Sequence, residues 1–565
     1  MIWAERGHLA CIRSPEICWH FSCKNYTPGL LFTSLKPYLA KVHVYGSWGL
    51  DFCFTLLCLR FIGASFNEAQ SYFGPPLILV GVYFGLACWR PRAALFVLTL
   101  AAPWLSGLSQ TQVLASGSTL FLGFSALWLG SLARHGVAPK DPAAIASRDA
   151  FRSTTHWAIL AVDLLSTAQL VSAAMTLWPQ RHEPNLWTTL TQCSGLGFGD
   201  RHYALHSACI WLQGLYFFKL LFTTGKSDQP KRHEARDPLN SSAIEPTPKQ
   251  PCATNEGPLA QWIAPVIIAY VIPLLGFSAF EYFYKIPDLY ADAFLLSPYE
   301  DIHSLGGIAV TVWACVLALL ATRRKWLWAV QLVGFGAMSA LLVLTYSRAT
   351  WLAAAIGGGV LISLRLKFRW IILVMIASGA LWWAANESAK KGGIWASNPI
   401  MGRLHSLIRV ESLSTKSSAR FEIYHKALGM IQNRPWTGHG VGSFYLTSPK
   451  FALKNDPVGA EPNFAHNFIL QFAAELGIPA TLLFCSLIGA AWYKGLRHTR
   501  AALKEKNGDR VPLALFLALT TYLITQMTAN SLNIYVSHQF LFWFLIAALI
   551  TLPESKTKNR PHAIG

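Results

Sequence analysis

Long apolar runs constrain the fold of this chain more than any other feature of its sequence. Runs of about 17–25 residues recur throughout, and each is sufficient to cross a bilayer as a helix. They lack the alternation of membrane-barrel strands, and lipid offers unpaired backbone groups no partner. The sequence therefore predicts an all-α, polytopic helical membrane protein with about 12–14 transmembrane helices. The predicted spans are 48–66, 75–89, 93–108, 118–133, 155–178, 203–223, 262–282, 303–322, 326–345, 349–365, 370–385, 467–492, 511–530 and 534–552.

The net charge of +19 indicates membrane topology rather than binding to nucleic acid. Charged residues make up only 13% of the chain, and the basic ones concentrate in alternate loops, as the positive-inside rule requires. We therefore expect both termini in the cytoplasm and residues 386–466 on the outer face. The basic loops are 90–92, 134–152, 226–249, 323–325, 365–369, 494–510 and 556–560.

Two polar interruptions divide the chain. Residues 225–261 have the composition of a flexible cytoplasmic linker. Residues 386–466 form one large outer loop, long enough to favour a functional role or a small subdomain. Residues 1–45 are either a cytoplasmic tail or an over-extended start. The remaining predicted units are an N-terminal bundle (46–224), further transmembrane helices (262–385), C-terminal helices (467–552) and a cytoplasmic tail (553–565).

The outer loop contains a predicted amphipathic helix at 419–431. Helical spacing places its apolar residues on one face, and Pro435 ends it because proline disfavours helix in the residue before it. These apolar residues are Phe421, Tyr424, Leu428 and Ile431.

A polar stripe follows the outer loop. If a helix starts near His466, then Asn467, Gln471 and Glu475 share one face at four-residue spacing. Polar groups at membrane depth are costly unless they are satisfied or used. The alternative interpretation is that Asn467 caps the helix and His466 only lies at the interface. The position beside a long outer loop favours function.

Arginines near the predicted outer face form a second candidate group. Arg348 begins an apolar run on the side that the positive-inside rule depletes, so it suits either an anionic ligand or lipid headgroups. Arg403 and Arg420 lie in the outer loop, where arginine forks suit phosphate oxygens and a solvated face is the alternative.

Two further motifs do not fit the sites that they resemble. Gly438, Gly440 and Gly442 do not follow a strand or open a helix, so a tight turn is favoured over a dinucleotide loop. His202 and His206 have the spacing of a helical metal pair, but the carboxylates around them are too few. We therefore expect no metal site.

Several segments together resemble the O-antigen ligase and polymerase superfamily over about residues 300–550. The members are bacterial inner-membrane enzymes that move glycans off undecaprenyl diphosphate at the periplasmic face. The matching segments are Thr345 to Trp351, Arg420 with Pro435, Gly438 to Phe444, Ala465-His466-Asn467, Leu470-Gln471 and Glu475-Leu476-Gly477.

This resemblance implies a role for each candidate residue. His466 would be the general base for an acceptor sugar hydroxyl, since the ordinary pKa of histidine is about 6.5. Arg348 and Arg420 would bind the donor diphosphate. Asn467, Gln471, Glu475 and Arg403 would support them. The resemblance implies no metal or cofactor, and an undecaprenyl-diphosphate-linked glycan as donor.

The resemblance leaves the acceptor open. Transfer of O-antigen to the lipid A core is the first hypothesis. The alternatives are a polymerase that joins O-antigen or exopolysaccharide repeat units, and a protein O-oligosaccharyltransferase. A glycan flippase or exporter is a third class, which predicts charged residues within several spans. Asp163 is one of few such charges.

Overall fold

The computed structural model describes residues 46–59 except 48, 74–110, 118–135, 154–178, 203–224, 259, 262–281, 302–319, 325–345, 347–365, 410–453, 464–505 and 509–553. Regular structure in these ranges is helical, and they contain no strand. The helices are α1 (Gly49–Leu59), α2 (Gly74–Trp89), α3 (Pro91–Gln110), α4 (Ser118–His135), α5 (Thr154–Leu177), α6 (Tyr203–Thr224), α7 (Ile263–Phe280), α8 (Ile302–Leu319), α9 (Lys325–Leu344), α10 (Arg348–Arg365), α11 (Val410–Asn433), α12 (Phe444–Thr447), α13 (Phe468–Lys504), α14 (Val511–Gln526), α15 (Ser531–Ile534) and α16 (Val536–Ile550), with a 3₁₀ turn at Ser448–Phe451.

The predicted all-α membrane fold is confirmed. A helix occupies each predicted span that falls within the described residues, while the span at 370–385 lies outside them. Three described helices are long and apolar enough to cross a membrane, and the other apolar helices are shorter. The three are Thr155–Leu177, Ile263–Phe280 and Phe468–Lys504. The predicted domain boundaries stay predictions, because the tail at 1–45 and most of the linker at 225–261 lie outside the described residues.

Helix α16 forms the centre of the bundle. It is buried at every position from Ser537 to Ile550, because its sequence is apolar on all sides over most of its length. Helices α6, α13 and α14 surround it. The ring of Phe540 stacks on Phe217 at 4.4 Å between centroids, and Trp543 contacts Phe218 edge-on at 5.4 Å. The N-terminal and C-terminal helices therefore share one core.

A buried ion cluster ties three N-terminal helices together. Lys219 Nζ in α6 lies 2.6 Å from Asp51 Oδ1 in α1 and 3.1 Å from Asp163 Oδ1 in α5. Buried charges in a membrane protein are normally paired in this way. The mid-span charge of Asp163 is thus part of an ion cluster between helices.

Helix α11 confirms the amphipathic helix predicted in the outer loop, and it ends just before Arg434 and Pro435. The predicted apolar face packs only in part, through Ile431. Phe421 and Leu428 are 68% and 48% exposed, whereas the adjacent face, with Ala427 and Met430, is buried against Ala474. Met430 and Ile423 are thus buried on the packed side, while Phe421 and Leu428 lie on the open side.

Helix α13 bends sharply at Gly477, which divides it into a short first part and a long second part. Gly477 has a φ of +83°, and a Cβ atom there would lie 2.5 Å from the carbonyl oxygen of Trp436. Ile478 N–H donates to Pro435 O at 2.7 Å just after the bend. Glycine at this position therefore lets the end of α11 and the kink of α13 meet.

Candidate active site

His466 lies directly before helix α13 and is half-buried. Its φ is +47°, and among the described residues it is the only non-glycine residue with a positive φ. Histidine adopts this left-handed region more readily than bulky or branched residues do. The next residue, Asn467, caps the helix by accepting the N–H groups of Ile469 and Leu470, each at 3.1 Å. The capping interpretation of Asn467 is therefore confirmed.

A chain of hydrogen bonds connects the backbone beside His466 with the polar stripe of α13. Ala465 N–H donates to Gln471 Oε1 at 3.3 Å, and Gln471 Nε2 donates to Glu475 Oε1 at 3.1 Å. Gln471 and Glu475 are both buried. The predicted stripe is thus a real polar face, and it holds the backbone that precedes the cap.

The carboxylate of Glu475 holds the glycine turn at Gly438 to Phe444. Gly442 N–H donates to Glu475 Oε2 at 2.9 Å, and Phe444 N–H donates to Oε1 at 3.3 Å. Gly440 N–H also donates to the main-chain oxygen of Glu475, at 2.9 Å. The buried side chain therefore has the hydrogen-bond partners that a buried polar group requires.

The glycine turn joins α13 to the N-terminal bundle. Gly438, Gly440 and Gly442 have φ values of +66°, +111° and +69°, so the predicted tight turn is confirmed. Val441 N–H donates to Ser172 Oγ of α5 at 2.8 Å. A Cβ atom on Gly442 would lie 3.2 Å from the ring of Tyr203 in α6.

Further contacts place the start of α10 at the same end of the bundle, here named the His466 end. Helix α15 contacts α6. Ser304 Oγ of α8 donates to Ser531 Oγ of α15 at 2.7 Å. Thr350 of α10 packs against Gly306 of α8. The His466 end therefore comprises the first turns of α6, α8, α10, α13 and α16 and the last turns of α5 and α14.

The two arginines occupy different helices. Arg348 is the first residue of α10 and is half-buried at the His466 end. Arg420 is half-buried on α11, two turns before Ala427 and on the same side of the helix. Ala427 packs in one cluster with Ala465, next to His466. Arg403 lies outside the described residues.

A buried polar segment between α14 and α16 was missed at the sequence level. Tyr522 Oη lies 3.1 Å from His538 Nδ1, and Gln539 Nε2 donates to Leu532 O at 2.6 Å. The sequence shows this segment as a cluster of polar residues between two apolar runs. The buried polar residues of this segment are Thr525, Gln526, Asn530, Ser531, Asn533, Ser537, His538 and Gln539.

A metal site would need several His, Cys, Asp or Glu side chains close together, and this can be checked only in the described part of the chain. Within that part, no three His, Cys, Asp or Glu residues lie close enough together to hold a metal ion. His202 and the side chain of His206 lie outside the described residues.

Comparison with known proteins supports the resemblance. Residues 333–485 match the sequence profile of a family described as O-antigen ligase. A Rickettsia conorii protein provisionally named a polysaccharide ligase is 24% identical over 263 residues, which cover 45% of this chain and 58% of that protein. The chain thus matches little more than half the length of this relative. The predicted resemblance to the O-antigen ligase and polymerase superfamily is thus confirmed over residues 333–485, a range that contains Arg348, Arg420 and His466.

Proposed function

We propose that this protein transfers a glycan from undecaprenyl diphosphate to a sugar acceptor at the periplasmic face of a bacterial inner membrane. The family match and the named relative support glycan ligation or polymerisation as the general activity. The distribution of basic loops supports a periplasmic position for the His466 end.

The proposal rests mainly on the backbone conformation of His466. A partly buried histidine in a left-handed conformation sits between a helix cap and the hydrogen-bond chain through Gln471 to Glu475. Unusual backbone conformations persist where the surrounding structure over-determines them, and they cluster at functional sites. Nucleotide-binding chemistry is not expected on that side of the membrane, which suits a lipid-linked donor.

The proposed reaction is a single group transfer. A ring nitrogen of His466 accepts the proton of an acceptor hydroxyl, and the hydroxyl oxygen forms a bond to the anomeric carbon of the donor glycan. The bond from that carbon to the diphosphate oxygen breaks, and undecaprenyl diphosphate leaves with the electron pair. The proton on His466 then passes to solvent. The phosphoglycosyl bond supplies the driving force, so no nucleotide is needed, and the proposed arginine contacts to the diphosphate would take the place of a metal ion.

Arg348 and Arg420 are proposed to stabilise the leaving diphosphate. Both are half-buried, which strengthens their interaction with a developing negative charge. A guanidinium group can bind two phosphate oxygens at once, and lysine cannot reproduce this geometry. Asn467, Gln471 and Glu475 are proposed to fix the segment that carries His466, while Arg403 stays a predicted supporting residue.

Ligation of O-antigen to the lipid A core is the proposed specific activity, and repeat-unit polymerisation is the alternative. A deletion strain separates them by gel electrophoresis of its lipopolysaccharide. Loss of a ligase leaves bare core, whereas loss of a polymerase leaves core with a single repeat unit. Unchanged lipopolysaccharide with loss of glycosylated protein would instead indicate the protein O-oligosaccharyltransferase activity.

A further inference from the structure

Two buried amide groups at the His466 end have donors that the fold does not use. The side chains of Gln526 and Asn530 are 0% and 5% exposed. Within the described part of the chain, neither Gln526 Nε2 nor Asn530 Nδ2 has a hydrogen-bond partner. Buried amides are normally satisfied, so such a pair requires a physical reason.

The orientation of both amides is fixed by their oxygen atoms. Gln526 Oε1 accepts the N–H of Leu532 at 3.2 Å, and Asn530 Oδ1 accepts a hydrogen bond from Asn533 Nδ2. A flipped amide would lose these bonds. The nitrogen of each group is therefore the free position, and each offers N–H donors alone.

A third buried polar group without a hydrogen-bond partner lies at the same end of the bundle, and this group of α8, α10 and α14 is here called the layer. Thr350 Oγ1 is buried and has no hydrogen-bond partner among the described residues. The Thr350 hydroxyl packs against Gly306 of α8. Gln526 Nε2 lies against the next residue, Gly307, where a Cβ atom would be 3.4 Å from that nitrogen. The two glycines thus bring both polar groups against the first turns of α8.

The electrostatic field in this layer favours negative charge. Helices α8 and α10 both begin here, and the N-terminal end of a helix carries a partial positive charge. Arg348, the first residue of α10, precedes Thr350 by two residues. The layer therefore combines unused N–H donors with two helix N-termini and an arginine.

We propose that Gln526, Asn530 and Thr350 form a subsite for the diphosphate of the lipid-linked donor, an assignment that rests on the proposed function. A diphosphate supplies acceptor oxygens and negative charge, which match the amide donors and the positive helix ends. The hydroxyl of a sugar acceptor would present a donor as well as an acceptor, and it carries no charge to match this field. The amides and the hydroxyl would hold the diphosphate at the end of the bundle where the helix of Arg348 begins.

Binding of undecaprenyl diphosphate and undecaprenol to the full-length protein in lipid nanodiscs tests this subsite. Gln526→Glu keeps the oxygen that accepts the backbone N–H of Leu532, and Asn530→Asp keeps the oxygen that accepts the side chain of Asn533. Each variant replaces the unused nitrogen with a carboxyl oxygen, while Thr350→Val removes the hydroxyl. Thr499→Val is the matched control, because Thr499 is also buried with an unpartnered hydroxyl but lies near the other end of α13. Thermal unfolding identifies variants that fail to fold, and binding is compared among the variants that do fold.

We expect the wild type to bind the diphosphate more tightly than undecaprenol. Each amide variant should weaken diphosphate binding by about tenfold or more, because one hydrogen bond to a charged group is lost and the added carboxyl group repels phosphate when it is ionised. Thr499→Val should bind as the wild type does. Unchanged diphosphate affinity in folded variants, or a loss seen only in the KM for the acceptor, would overturn the subsite and leave the proposed function standing. A wild type that does not prefer the diphosphate would overturn both.

Discussion

The carboxylate of Glu475 accepts the backbone N–H of Gly442 at 2.9 Å across 33 residues of sequence. The same carboxylate binds Phe444 N–H and the amide of Gln471, which in turn accepts Ala465 N–H. One buried acid thus connects the glycine turn with the backbone that precedes His466. The fold of the segment before His466 therefore depends on side chains one and two turns along α13.

Replacing Glu475 with glutamine tests this connection. Glutamine has the same shape, but its nitrogen cannot accept an N–H group, so one of the two turn bonds is lost. Leaving a buried donor unsatisfied costs about 1–3 kcal/mol. We expect faster hydrogen exchange at Gly442 or Phe444, measured by mass spectrometry, and reduced transfer activity. Unchanged exchange at both amides would show that the carboxylate does not hold the turn.

The backbone of the glycine turn makes a second prediction. A Cβ atom on Gly438 would lie 2.2 Å from the carbonyl oxygen of Glu475, at a φ of +66°. Gly438→Ala should therefore lower stability by about 1–3 kcal/mol. Gly489→Ala is the control, because no atom lies within 4 Å of a Cβ there. Thermal unfolding in detergent compares the two, and equal midpoints would contradict the close approach.

Arginine chemistry is tested by conservative replacement. Arg420→Lys keeps the charge but loses the planar fork, so we expect transfer activity to fall by about tenfold or more. Arg434→Lys, at an exposed arginine close to the end of α11, should leave the rate nearly unchanged. Initial rates with a lipid-linked donor measure both. Full activity of Arg420→Lys would argue against bidentate binding of phosphate.

His439 gives the glycine turn a predicted pH dependence. Partial burial lowers the pKa of His439, and the positive charges of Arg434 and Lys450 lower it further, while the hydrogen bond to Met430 O opposes them. The folded turn therefore binds fewer protons than the unfolded chain, so its stability falls as the pH drops below about 6.5.

Protease susceptibility of the wild type between about pH 8 and pH 5 measures this loss. His439→Gln should reduce the pH dependence, because glutamine can donate to Met430 O without titrating near neutrality. His425→Gln, at an exposed histidine of α11, should retain it. Equal pH profiles for the wild type and His439→Gln would exclude His439 as the titrating group.

Sequence periodicity predicted most helices of this fold because each span was long, apolar and bounded by charge. It did not predict which side of α11 packs, since Ala427 and Ala474 allow close approach without marking an apolar stripe. The stripe from Asn467 to Glu475 was predictable from four-residue spacing. Its connection to Gly442 was not, because no local pattern pairs residues that distant. Gln526 and Asn530 were overlooked because only the packed helices show which polar turns converge.

The imidazole of His466 is proposed to act as the general base. His466→Asn is the most direct test, because asparagine also tolerates the left-handed backbone of this position and only the base is lost. Transfer of glycan from an undecaprenyl-diphosphate-linked donor is measured with purified protein, and His425→Asn is the exposed control. We predict a rate lower by about 10²–10⁴-fold for His466→Asn, with unchanged binding of undecaprenyl diphosphate. A wild-type rate in the folded His466→Asn protein would contradict the account.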